Sequence, residues 1–136
     1  MAQRKVVVID DESPFLMLSQ IAVRSLGFEC FTATDGVSGL HRIEEVQPDI
    51  IICDYTMPEM NGYEVWKAVQ QNPDLRETPF ILFSGLVDTR WKMLDRPELE
   101  EMYQHSQQND ARLRLIEKSS ARLHLTTAIV ELLESS

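Results

Sequence analysis

Two aspartates, Asp10 and Asp11, follow one apolar run, and Asp54, Ser84 and Lys118 each lie at or just beyond the end of another. Carboxylates, a hydroxyl and an amine are the groups that hold a divalent cation and accept a phosphoryl group. Three carboxylates brought together raise one another's pKa unless a cation offsets them. Mg²⁺ takes oxygen ligands, keeps several waters and is commonly completed by a substrate phosphate. On this reading Asp11 and Asp54 ligate the metal directly, Asp10 does so directly or through water, and a carbonyl in the loop after Asp54 completes the shell. Asp54 is the nucleophile, since a carboxylate can carry a phosphoryl group as a covalent intermediate. The metal and Lys118 neutralise charge on the transferring oxygens, and the Ser84 hydroxyl donates to one of them. Thr56 is placed to influence the path of a hydrolytic water.

Taken singly, each residue has a plainer explanation. Asp10 and Asp11 suit a helix N-terminus, Asp54 a turn before Pro58, Ser84 and Gly85 a turn, and Lys118 a solvated surface. Together they ask for one explanation, and the order of elements supplies it. Lys5 to Ile9 is a nearly continuous apolar run, as expected of a parallel strand covered on both faces. After Asp10, Asp11 and Glu12, the spacing of Phe15, Leu18, Ile21, Ala22, Ser25 and Leu26 predicts a helix, with Ser13 as N-cap, Pro14 at its first position and Gly27 at its end. Phe28 to Thr32 reads as a second strand, and Asp35 with Gly36 opens a helix carrying Val37, Leu40, Ile43 and Val46. Asp49 to Asp54 is a third strand that terminates in a carboxylate. A loop, 55–62, then leads to a helix with Val65, Trp66 and Val69.

Pro79 to Phe83 is the fourth strand, and Leu113 to Ile116 a fifth, with Arg112 and Arg114 marking it as an edge. Leu123, Thr126, Ile129, Val130 and Leu133 predict a terminal helix, capped by Ser119 or Ser120. Between Ser84 and Lys118, Asp88 to Asp95 predicts a helix with Trp91 and Leu94 inward, and Pro97 begins another with acids in its first turn. Two short helices and one kinked helix both fit. The alternation predicts a doubly wound α/β fold with a five-stranded parallel sheet, in a single domain spanning 1–136. Ligands of such sheets bind beyond the carboxyl ends of the strands. Asp10, Asp11, Asp54, Ser84 and Lys118 therefore converge on one edge from four different strands.

Bulk properties narrow the classes of function. A length of 136 residues suits one core and one site region. Hydrophobic residues make up 43% and charged residues 26%, the balance of a globular domain. The apolar runs are far too short to cross a bilayer core of roughly 30 Å, so no membrane span is expected. The start of the chain lacks the apolar stretch of a secretory signal, and a cytoplasmic location is expected. A net charge of -9 disfavours direct nucleic-acid binding. The one basic cluster in sequence is Arg112, Arg114, Lys118 and Arg122. Cys30 and Cys53 have neither disulfide nor zinc spacing and are expected to be core thiols. Trp66 and Trp91 are expected to pack on helix faces, and His41, His105 and His124 to lie scattered on the surface.

The residue pattern resembles the receiver domain of two-component response regulators. Asp10 and Asp11, the run from Ile50 to Gly62, Ser84 and Lys118 carry the resemblance, which extends over essentially the whole chain. It implies a flavodoxin-like sheet in order 2-1-3-4-5 with helices on both faces, and Mg²⁺, or Mn²⁺ in its place, as cofactor. It also implies phosphoryl transfer to Asp54 from the phosphohistidine of a histidine kinase or phosphotransfer protein, followed by slow self-catalysed hydrolysis. The acidic metal pair is then Asp10 and Asp11, the Thr56 carbonyl is a further ligand, and Ser84 and Lys118 contact the phosphate. Partners include a downstream output protein or a fused effector domain absent from this chain, and a second copy of the chain is a further candidate.

Three features depart from the family's pattern. Ser119 stands where a proline usually follows the lysine, and a trans bond is expected there because a cis bond before a residue other than proline costs about 2.5–4 kcal/mol. Leu115 stands where an aromatic usually reports phosphorylation to the output face. The crossover at about 86–111 is longer than usual, and partner choice is expected to be written there, around Trp91, Tyr103 and the acidic turn Glu98 to Glu101. Three functions compete: a phosphoryl-accepting switch, a receiver-like interaction module with phosphorylation decoupled or lost, and a metal-dependent phosphohydrolase. The last would need a positioned acid or base that neither Tyr55 nor Thr56 clearly supplies. At most, the chain's catalysis is its own phosphorylation and dephosphorylation, not turnover of a metabolite. The last helix runs almost to the final residue, consistent with a free-standing protein or with a piece of a longer one.

Overall fold

The computed structural model describes residues 3–84, 97–108 and 112–134. The strands among these residues are β1 (Lys5–Ile9), β2 (Glu29–Ala33), β3 (Ile50–Asp54), β4 (Phe80–Ser84) and β5 (Leu113–Glu117), of which β1, β3 and β4 are apolar almost throughout. All pair in parallel in the order β2-β1-β3-β4-β5. Every residue of β3 and β4 is buried, which explains why these central strands show no alternation in sequence. At the β5 edge, Arg114, Leu115 and Glu117 are only half-buried, as its flanking arginines predict.

The helices are α1 (Ser13–Ser25), α2 (Gly36–Val46), α3 (Gly62–Gln70), α4 (Pro97–Ser106) and α5 (Ala121–Glu134), with a 3₁₀ turn over Lys118–Ser120. They divide the core in two. Val7, Ile9, Ile51, Cys53, Phe80 and Leu82 pack with α2, α3 and α4 on one face. Val6, Val8, Ile50, Ile52, Ile81 and Phe83 pack with α1 and α5 on the other. Among the described residues no helix is long and apolar enough to cross a membrane.

Local signals placed most helix ends. Asp35 caps α2 by accepting from the Ser38 amide at 2.8 Å. Asn61 and Glu64 form a reciprocal capping box at the start of α3. Pro97 opens α4 with Glu98 and Glu100 in its first turn, as the sequence predicts. Gly27, at φ +80°, follows α1 in a conformation that side chains resist.

Other expectations need correction. Glu12, not Ser13, stands at the N-cap of α1, and its side chain makes no capping bond; Ser13 is already helical. β2 is displaced by one residue from 28–32. On α1, Ser19 and Val23 are buried, whereas Ile21 is 63% exposed. On α2, Val37 is exposed and Gly36, Gly39 and Ile43 are buried. On α5, Leu125, Ala128, Ile129, Leu132 and Leu133 face the core, a stripe rotated from the predicted one. These helices carry apolar residues around more than one stripe, so only the neighbouring sheet selects which stripe is covered. Gly85, the predicted helix from Asp88 to Asp95 with Trp91 and Leu94, and the Arg122 and Leu123 side chains lie outside the described residues.

Gly62 fixes how α3 sits against β3. Its amide donates to the Tyr55 carbonyl at 2.9 Å. A Cβ there would lie 2.5 Å from the Asp54 carbonyl oxygen and 2.6 Å from Leu82 Cδ1. Both obstacles are in the packed centre of the fold. Gly62→Ala is expected to destabilise the domain by about 1–3 kcal/mol through overpacking. The urea midpoint would fall while the slope of the transition stays the same.

Candidate functional site

Parallel register brings the predicted groups together. Ile9 pairs with Cys53, so Asp10 follows β1 at the level where Asp54 ends β3. Asp54 pairs with Phe83, and Ser84 pairs with Glu117, so Ser84 lies one step further on and Lys118 follows β5 directly. The Asp10 amide donates to the Ala33 carbonyl at 3.1 Å and the Tyr55 amide to the Phe83 carbonyl at 2.7 Å, so pairing continues up to the site. The side chains are thus carried on rigid strand ends.

Asp10, Asp11, Glu12 and Asp54 each offer a carboxylate oxygen within 4.8 Å of the others. Asp10 and Asp54 are buried, while Asp11 and Glu12 are exposed on the rim. Asp10 Oδ1 accepts from the Glu12 amide at 2.8 Å. Both oxygens of Asp54 are buried and have no hydrogen-bond partner among the described residues. Among the described residues their nearest positive charge is the Lys118 ammonium, 3.4 Å from Asp54 Oδ2 and 3.4 Å from Asp10 Oδ2. An anion left this poorly satisfied is an unusual feature in a folded core, and it fits a site built to receive a cation and an electrophile.

The electrostatics follow from that burial. Desolvation, then the neighbouring Asp10 charge, pushes the Asp54 pKa up to about 7 against the opposing pull of Lys118. Burial also raises Asp10, countered by the Glu12 amide and by Lys118. For Lys118, burial favours loss of the proton, but the bond to Glu12 and the charges of Asp54 and Asp10 outweigh it and hold the amine protonated. The Cys53 thiol is pushed well up by burial and by Asp54 and Asp10, which suits a core thiol and not a nucleophile.

Ser84 is fully buried at the end of β4 beside β3. Thr56 is exposed in the loop that follows β3 and Tyr55. The Lys118–Ser119 bond is trans, since no described peptide bond is cis. Leu115 is half-buried and packs against the α2, α3 and α4 side of the core.

Residues 6–95 match the response regulator receiver domain family. The chain belongs to that family. Protein PilG of Pseudomonas aeruginosa is 33% identical over 87 residues, covering 62% of this chain and 64% of PilG. The alkaline phosphatase synthesis transcriptional regulatory protein PhoP of Bacillus subtilis is 35% identical over 68 residues, covering 50% of this chain and 28% of PhoP. The matched part thus spans less than two thirds of either relative. The chemotaxis protein CheY4 of Vibrio cholerae superposes with a TM-score of 0.71 at 22% identity, covering 98% of each chain, and shares the fold. This is a receiver domain of two-component signalling.

Some of the contacts at and around the site carry little signal in the sequence. Glu12 makes the shortest contact to Lys118, at 2.5 Å from Nζ to Oε1, and the Phe15 ring centroid lies 4.4 Å from the same ammonium. The one hint of either is adjacency to the aspartate pair. Tyr55, directly after Asp54, donates its hydroxyl to Glu98 of α4. Tyr63 donates to Glu101 Oε1 at 2.8 Å, and Lys67 pairs with Glu101 Oε2 at 2.7 Å. Two acids of the turn from Glu98 to Glu101 are therefore engaged within the chain and are not simply a free charged surface. His105 is half-buried with its ring 5.1 Å from Trp66, while His41 and His124 are exposed. The basic cluster is dispersed: Arg112 pairs with Glu77, Arg114 with Glu131, and Lys118 turns into the site.

Proposed function

We propose that this receiver domain is a phosphoryl-accepting switch in which Asp54 receives its group from the phosphohistidine of a histidine kinase or phosphotransfer protein. The observation that carries the proposal is the buried Asp54 carboxylate, without a hydrogen-bond partner among the described residues and 3.4 Å from Lys118, within an acidic cluster. An Asp54 oxygen forms a bond to phosphorus as the phosphorus–nitrogen bond breaks. The bonding pair leaves with the imidazole, which takes up a proton. Lys118 offers positive charge to the transferring oxygens, and the Ser84 hydroxyl donates to one of them. Asp10, Asp11, Asp54 and the Thr56 carbonyl are the groups for Mg²⁺ or Mn²⁺. When bound, that cation offsets the repulsion among the carboxylates and the charge arriving with phosphate. Thr56, exposed in the loop two residues after Asp54, is the residue to modulate the water that slowly hydrolyses the acyl phosphate.

The reading extends to a single cytoplasmic domain over 1–136 with an enlarged crossover at about 86–111. Its output passes to a partner protein or a fused effector domain, with a second copy of the chain as a further partner. A second reading, an interaction module with phosphorylation decoupled, draws on Leu115 and Ser119. Intact-mass measurement after incubation with a small phosphodonor and Mg²⁺ separates the two. The wild type is expected to gain one phosphoryl group and Asp54→Asn none. No gain in the wild type with several donors would favour the interaction module, and a persistent adduct in the variant would mean another nucleophile.

A further inference from the structure

Lysine carries a compact charge on a flexible stem, so holding its ammonium at one point requires partners that restrain it. Lys118 leaves β5 at the first residue of a 3₁₀ turn, and Ser119 follows it, so the main chain here has no proline ring to stiffen it. Its side chain is nevertheless 9% exposed, with Nζ 3.4 Å from both Asp10 and Asp54. The shortest contact goes elsewhere, to Glu12 Oε1 at 2.5 Å, from a residue whose side chain is 59% exposed. Phe15, one turn along α1, presents its ring to the same ammonium at 4.4 Å. Glu12 also donates its amide to Asp10 Oδ1 at 2.8 Å, so one residue contacts both Asp10 and Lys118.

We propose that Glu12 is a positioning residue for Lys118, holding the ammonium at the mouth of the Asp10 and Asp54 carboxylates before any phosphoryl group arrives. An ammonium has three donors. Glu12 takes the shortest contact from the rim side, leaving the inward direction for oxygens that appear on Asp54. With Glu12 removed, the stem recovers its rotamers, and the ammonium must be recaptured at each transfer. Glu12 acts through Lys118 and not on phosphorus, so its effect has to vanish when Lys118 is absent. The kinetic side of this inference rests on the phosphoryl-acceptor reading, whereas the placement of Lys118 before transfer does not.

Two measurements on the full chain test it. In Mg²⁺-free protein without donor, ¹⁵N-lysine NMR is expected to show one ammonium protected from solvent exchange. That signal should be identified by its loss in Lys118→Ala, be lost in Glu12→Ala and be weakened in Glu12→Gln, which keeps an acceptor oxygen but not the charge. A protected signal unchanged in Glu12→Ala overturns the proposal. With a small phosphodonor and Mg²⁺, Glu12→Ala should slow phosphoryl uptake about tenfold and Glu12→Gln less. In the Lys118→Ala background, Glu12→Ala should slow it no further. Equal slowing with and without Lys118, as loss of a metal ligand would produce, also overturns it. A wild type that takes up no phosphoryl group would remove the acceptor reading, and the NMR comparison would then decide the placement of Lys118 alone.

Discussion

Lys118→Ala is expected to lower the rate of phosphoryl uptake at Asp54 by about two to three orders of magnitude, or about 3–4 kcal/mol of transition-state stabilisation. Lys118 Nζ lies 3.4 Å from Asp54 Oδ2 and is the nearest cation to it among the described residues. Charge spreads over the oxygens of the transferring group as it moves, so a fixed cation is worth more there than in the resting protein. Lys118→Arg should recover little, because a planar fork cannot occupy the place of a point charge between Glu12, Asp10 and Asp54. Stopped-flow phosphorylation with a small donor, read by intrinsic Trp fluorescence or by quenched mass analysis, measures the effect. A loss below threefold would remove Lys118 from the mechanism.

Asp54→Asn is expected to stabilise the Mg²⁺-free protein at pH 8 by about 2 kcal/mol, while abolishing phosphoryl uptake. The folded chain holds the Asp54 pKa at about 7, above its ordinary 3.8, chiefly through burial and the Asp10 charge. The folded state therefore binds the extra proton more tightly than the unfolded state does. That contribution is fully present below pH 3.8 and is lost as pH rises through about 7. Above that, the fold carries an ionised carboxylate that water would solvate better. The figure is set below the full shift because the rim of the site admits solvent. Urea titrations of the wild type should show stability falling across this window. In Asp54→Asn most of that slope should disappear, leaving the smaller part due to Asp10, whose pKa is also raised. Saturating Mg²⁺ should flatten the wild-type slope as well, since a bound cation favours the ionised carboxylates. A slope unchanged by the substitution would mean that Asp54 is ionised at ordinary pH without penalty.

Each expected effect depends on groups that are far apart in sequence, and those groups are legible there to different degrees. The sequence places Asp10, Asp54, Ser84 and Lys118 together because parallel strands send all their carboxyl ends to one edge of the sheet. It marks β1, β3 and β4 because strands buried on both faces are apolar at nearly every position, a signal that needs no partner to interpret. The caps of α2 and α3 and the proline start of α4 are likewise local chemistry, written within four residues of where they act.

Tertiary structure alone decided the rest. Ile21 and Val23 are both apolar and two positions apart on α1, yet one is exposed and the other fully buried, because β2 and α5 cover only one side of that helix. Arg112 and Arg114 look like a basic patch in sequence but are matched by Glu77 and Glu131 from other elements. Glu12 reads as one more acid beside a metal pair, and its contact to Lys118 joins residues separated by 106 positions. The sequence by itself determined which groups meet at the sheet edge, since parallel strands all send their carboxyl ends there. Only the folded chain decided which of them touch, because side-chain pairing across that edge depends on helix rotation and on contacts between distant segments.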